Sequence, residues 1–144
     1  MSLFSTLSIS ASGMAAQRTR AELLVENLAN AETTRTPEGG PYQRKDVVFQ
    51  PQGAGSFASM FDSAINPGPV GVGVSDVIVD KSAPEQRYMP GHPDAGADGY
   101  VAFPRINPAE EMVNLMSASR GYQANVASMS AVKDMIQRSI DLLR

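Results

Sequence analysis

The string NPAEEMVNLMSASRGYQANVASMSAVKDMIQRSIDLLR, residues 107–144, decides the fold. Its first residues specify a helix start: Asn107 caps, Pro108 suits the first helical position, and Glu110 completes a capping box. Beyond the cap one heptad track reads Leu115, Tyr122, Met129, Ile136 and Leu143, and its companion reads Met112, Ser119, Val126, Lys133 and Ile140. This predicts a coiled-coil-like seam with polar breaks at Ser119 and Lys133, and Asp134 with Arg138 adds an i,i+4 ion pair. The helix would extend about 54 Å. A compact globule of 144 residues has a diameter under about 40 Å, so the pattern predicts an elongated molecule.

The opposite end carries a weaker matching track, Leu7, Met14, Ala21 and Leu28, with Leu3 and Leu24 four residues before its first and last members. The helix is expected to stop near Asn30. Its first third is Ser-rich and uncharged through Gln17, so it orders fully only against a partner. Gly13 and Gly121 sit inside these helices, where Gly costs about 1 kcal/mol relative to Ala, and mark candidate points of close helix approach.

Between the helices the chain changes character. All ten prolines lie from Pro37 to Pro108 and ten of twelve glycines from Gly39 to Gly99. Short strands are expected at Gln43–Gln50, Val70–Val79 and Tyr100–Phe103, with a loop from Pro51 to Pro69 that Phe57, Met60 and Phe61 would dock. The expected fold is mainly α with a small β part (α+β), in three units: an N-terminal helix (1–31), a central Gly/Pro-rich segment (32–107) and a C-terminal helix (108–144) paired with the first.

Composition agrees with a core that is thin or completed between chains. Leu, Ile, Val and Phe make up 31 of 144 residues, just above the level associated with disorder. The net charge of −3 gives no basic footprint for nucleic acid. With no Cys, disulfides, thiolate catalysis and Cys-ligated metals are excluded. No apolar run is long enough to span a bilayer, and the first 17 residues lack the Lys or Arg of a cleaved secretory signal.

The search for chemistry returns little, with no phosphate-binding, GxSxG or HExxH string. The stretch from Asp94 to Gly99 resembles the opening of a calcium loop, but Arg105 stands where a bidentate Glu is needed. The stretch reads better as a turn, with Asp94 and Asp98 bonding local amides and Gly99 at positive φ. Ser130 to Lys133 fits SxxK without its companion motifs, and His92 between Gly91 and Pro93 reads as a structural turn residue. No catalytic residue, metal ligand or cofactor is assigned.

Two longer strings carry more weight. Ser12-Gly13-Met14-Ala15-Ala16-Gln17 with Glu26-Asn27-Leu28-Ala29-Asn30-Ala31 resembles the N-terminal signature of bacterial flagellar rod and hook axial proteins. Glu111-Met112-Val113-Asn114, followed by Ser117-Ala118-Ser119-Arg120-Gly121-Tyr122-Gln123-Ala124-Asn125-Val126, is similar to their C-terminal signature. Gly40-Pro41-Tyr42, His92-Pro93-Asp94 and Gly99-Tyr100-Val101 look like strings of the proximal-rod members. The main departure is Gly121, where relatives often carry Ser.

The resemblance implies a structural subunit without catalysis, exported by the flagellar type III apparatus without a cleaved signal peptide and assembled in the periplasm into the rod. Its implied partners are other proximal and distal rod subunits, the adaptor joining rod to MS ring, and further copies of itself. Leu7, Met14, Ala21, Leu24, Leu28, Met112, Leu115, Tyr122, Val126, Met129, Ile136 and Ile140 are the candidates for packing within and between subunits. Asn27, Asn30, Arg120, Gln123 and Asn125 are candidate polar interlocks that set register. Two rival readings use the same features: a cytoplasmic coiled-coil adaptor, and a small hydrolase working from the central segment through His92 or Asp98.

Overall fold

The structure, a computed structural model, describes residues 3–52, 61, 65 and 70–142. In chain order they form α1 (Leu3–Ala29), β1 (Lys45–Pro51), β2 (Val72–Val79), β3 (Glu85–Tyr88), β4 (Tyr100–Phe103) and α2 (Pro108–Asp141). The fold is α+β, with two long helices and two antiparallel two-stranded sheets, β1–β2 and β3–β4. Most of the expected Pro51–Pro69 loop, including Phe57 and Met60, lies outside the described residues, and Phe61 is largely exposed.

The helix starts where its cap residues dictate. The Asn107 side chain accepts the Ala109 amide at 3.1 Å, at the second helical position instead of the third, Glu110, that a capping box uses. Asp134 and Arg138 form no ion pair with each other, which corrects that expectation; both are exposed, where such a pair gains little. The two helices run antiparallel, as three facing pairs show. Gly13 faces Asn125, Gln17 faces Gly121, and Asn27 meets Glu111.

The line that closes the pair differs from the expected apolar tracks. The buried side chains of α2 are Glu111, Ala118 and Val132, with Asn125 half-buried on the same heptad line. Ser10, Ala16, Leu24 and Asn27 are the buried side chains of α1. Apart from Leu24 and Val132, small and polar groups thus form the internal seam, and close approach follows from their size. At Gly13 a Cβ would stand 3.0 Å from Asn125 Nδ2, and at Gly121 one would stand 3.1 Å from Gln17 Cδ.

The β1–β2 ribbon lies lengthwise on α1. At one end Asn27 bonds both backbone groups of Lys45; at the other, Ser12 Oγ accepts the Val72 amide at 3.0 Å. Lys45 and Val72 stand at opposite ends of the paired ribbon. The helical path from Ser12 to Asn27 is about 22 Å and the strand path from Lys45 to Pro51 about 20 Å, so the two elements match in length. The register shifts between Val48 and Phe49, leaving Ser75 as the extra residue of a bulge, its hydroxyl donating to the Val48 carbonyl at 3.2 Å.

The second hairpin precedes α2. Strand β3 was absent from the sequence expectation, since Glu85-Gln86-Arg87-Tyr88 is exposed throughout and has no apolar alternation. Val101, Phe103 and Pro104 supply its buried side, and the Arg87 guanidinium lies 4.7 Å from the Phe103 ring centre. Gly99 has φ +77°, as its turn requires. Asp94 bonds the Thr34 hydroxyl at 2.7 Å, which anchors the hairpin to the loop after α1; this corrects the expectation of a purely local turn role.

Candidate functional site

Two features of the helix pair define the candidate site, one in its interior and one on its surface. The first is a sealed polar node at the Asn27 end of the helix pair. Asn27 is fully buried and uses its whole hydrogen-bonding capacity: Nδ2 donates to the Lys45 carbonyl (2.8 Å) and to Glu111 Oε2 (3.1 Å), while Oδ1 accepts from the Lys45 amide (2.9 Å) and the Tyr42 hydroxyl (3.1 Å). Glu111, only 3% exposed, receives Arg44 Nε at 2.7 Å on its other oxygen. Arg44 also reaches Asp46 at 3.2 Å, and Lys45 pairs with Glu26 at 2.6 Å. Burial, with the Glu26 and Glu111 carboxylates nearby, pushes the Tyr42 hydroxyl up to about 12. The node therefore ties α1, β1 and α2 through charge-assisted bonds.

The second feature is an open apolar groove at the far end of the same pair. It has a volume of about 470 Å³ and is walled by Leu7 and Met14 from α1 and by Val126, Met129, Ile136 and Ile140 from α2, with Lys133, Ser130 and Gln137 on its rim. Six candidate packing residues from the three heptad tracks meet here. Ala21, Leu28 and Leu115 are half-buried along the helix pair and Leu24 is buried, whereas Met112 and Tyr122 are exposed.

The polar candidates separate by position. Asn27 belongs to the node, and Asn125 donates to the Gly121 carbonyl at 2.9 Å where the helices cross closely. Asn30 closes the end of α1 by bonding the Glu26 carbonyl and accepting from Thr33. Arg120 and Gln123 are exposed. Sequence reasoning missed Arg44, Tyr42 and Glu111; the signal available was that Glu111 shares a heptad line with Ala118, Asn125 and Val132.

The accessible surface is 10086 Å², against roughly 7,100 Å² for a compact monomer of this mass. Among the described residues no group of three His, Cys, Asp or Glu could hold a metal, and no helix is long and apolar enough to cross a membrane. His92 Nδ1 accepts the Asp94 amide at 3.1 Å and Asp98 is exposed, so the hydrolase reading gains no convergent polar site from them.

The sequence matches known proteins along its whole length. The chain is 41% identical to the flagellar basal-body rod protein FlgC of Bacillus subtilis over 150 residues, covering 99% of each chain. It is 37% identical to FlgC of Borreliella burgdorferi over 154 residues, covering 100% of this chain and 99% of the relative. FlgC of Salmonella typhimurium is 39% identical over 142 residues, covering 99% and 98%.

The chain belongs to the FlgC family of flagellar basal-body rod proteins.

A family model described as flagellar basal body rod FlgEFG protein C-terminal matches residues 97–142, the end of the second hairpin and all of α2. As a FlgC-family member the chain is a structural rod subunit and not an enzyme, and the adaptor reading is not favoured.

Proposed function

We propose that the chain acts as a packing unit of the proximal rod, completing its core with neighbouring subunits so that the assembled shaft transmits motor torque. The carrying observation is the groove, where six apolar side chains from both helices meet without a covering element among the described residues. In this reading the helices (1–31 and 108–144) form a coiled-coil-like inner unit, and the central segment (32–107) an outer one.

Contacts between different faces of neighbouring subunits stack into an open helical tube instead of a closed ring. The packing candidates named above supply apolar area, Gly13 and Gly121 permit close approach, and the exposed Arg120 and Gln123 act as interlocks toward neighbours. Export by the flagellar type III apparatus without a cleaved signal, residence in the periplasmic rod, and contact with other proximal and distal rod subunits and the MS-ring adaptor complete the proposal. Family membership supports these points.

The test is the pair Met129→Asp and Ile136→Asp in the parent bacterium. Each is expected to abolish rod assembly and motility while the purified chain keeps its unfolding free energy, measured in urea, within about 1 kcal/mol, because both side chains face the groove. Normal motility in both variants would overturn the proposal.

A further inference from the structure

The groove has a counterpart elsewhere on the same helix. Met112, Val113 and Met116 are 48%, 60% and 54% exposed and adjoin one another at i,i+3 and i,i+4 spacing, making a contiguous apolar knob on the first turns of α2. Glu110, exposed, stands beside it. The groove rim carries the complementary charge, Lys133, and no carboxylate lines it among the described residues. Neither Glu110 nor Lys133 takes part in an ion pair among the described residues.

Knob and groove centre roughly 20 residues apart along α2, about 30 Å, so one copy cannot fill its own groove. We propose that the groove receives the Met112–Met116 knob of a second copy of this chain, with Glu110 of the incoming copy set against Lys133. The inference rests on the assembly reading above and names the partner of that surface. Because knob and groove are different patches, the contact is head-to-tail and leaves a free knob and a free groove at the two ends, allowing continued addition. The apolar contact supplies affinity and the rim pair fixes register.

Sedimentation equilibrium of the full chain tests this. Concentration-dependent self-association is expected, weakened more than tenfold by Met116→Asp and about fivefold by either Lys133→Glu or Glu110→Lys, with the double charge reversal restoring it. The chain contains no cysteine, so a Met116→Cys copy mixed with a Met129→Cys copy should give a disulfide dimer on oxidation that neither gives alone. A chain that stays monomeric, a double reversal that fails to restore association, or cross-linking that prefers Met116→Cys with itself overturns the proposal. If self-association is absent while Ile136→Asp still abolishes rod assembly, a different rod subunit fills the groove: the function stands and the self-contact falls.

Discussion

Asn27 and Glu111, 84 residues apart in the chain, meet at 3.1 Å inside the sealed end of the helix pair, and the bond joins the end of α1 to the first turn of α2. Both groups are almost fully withdrawn from water, so their remaining partners must be present in full. Arg44 supplies the charge that Glu111 needs, and Lys45 and Tyr42 supply what Asn27 needs.

Removing one partner of this node should cost more than removing both. Arg44→Met leaves the Glu111 carboxylate buried without its cation and is expected to lower stability by about 3–5 kcal/mol. Arg44→Met with Glu111→Gln, which removes the buried charge but keeps an acceptor for Asn27 Nδ2, should recover more than half of that loss. Urea denaturation followed by circular dichroism reads both, and equal losses in the single and double variants would contradict the account.

The raised Tyr42 hydroxyl makes stability depend on alkaline pH. The unfolded chain releases this proton near pH 10 and the folded chain near 12, so between those values the unfolded state binds fewer protons and folding weakens as pH rises. The full contribution is present below pH 10. Allowing for the solvent exposure of the ring, the loss by pH 12 should be about 1 kcal/mol. Tyr42→Phe should remove that share of the alkaline slope, measured by urea midpoints at pH 9, 10.5 and 12.

Gly13→Ala sets helix propensity against space. Ala gains about 1 kcal/mol in a helix interior, but the new methyl would stand 3.0 Å from an Asn125 amide held in place by the Gly121 carbonyl. A net destabilisation of about 1 kcal/mol is expected, and Gly13→Ala with Asn125→Ala should reverse it. Thermal unfolding of the two variants decides between clash and propensity.

Ser12→Ala should loosen one end of the ribbon and spare the other. It removes the acceptor of the Val72 amide, worth about 1 kcal/mol, and hydrogen exchange at Val72 should accelerate about fivefold while the Lys45 amide stays protected by Asn27. Uniform acceleration along β1 and β2 would show that the ribbon opens as one unit.

These residues also show where the chain's own pattern was readable. The α2 start followed from Asn107 and Pro108, because a cap and a fixed φ are local requirements, and β1 and β2 followed from alternation and from the Gly and Pro around them. The helix seam was displaced by one residue. Hydropathy points to Met112, Val126 and Ile140, yet these are exposed, and the interior line takes Glu111, Ala118 and Val132. A periodicity reading assumes that the largest apolar side chains close the chain on itself. Here small groups close it and a long-range carboxylate is paired from β1, which only the tertiary fold brings near. The groove was legible as three tracks but not as one place, since antiparallel register sets Leu7 and Met14 beside Met129 and Ile136.

The long span of the Asn27–Glu111 bond carries a kinetic consequence. The loop closing it must lose its entropy before the bond can form, and contacts so distant in sequence slow folding. A chain delivered one end first therefore cannot lock α1 until Glu111 has arrived. Until those 84 residues have been synthesised, the end of α1 lacks both Glu111 and its helical partner.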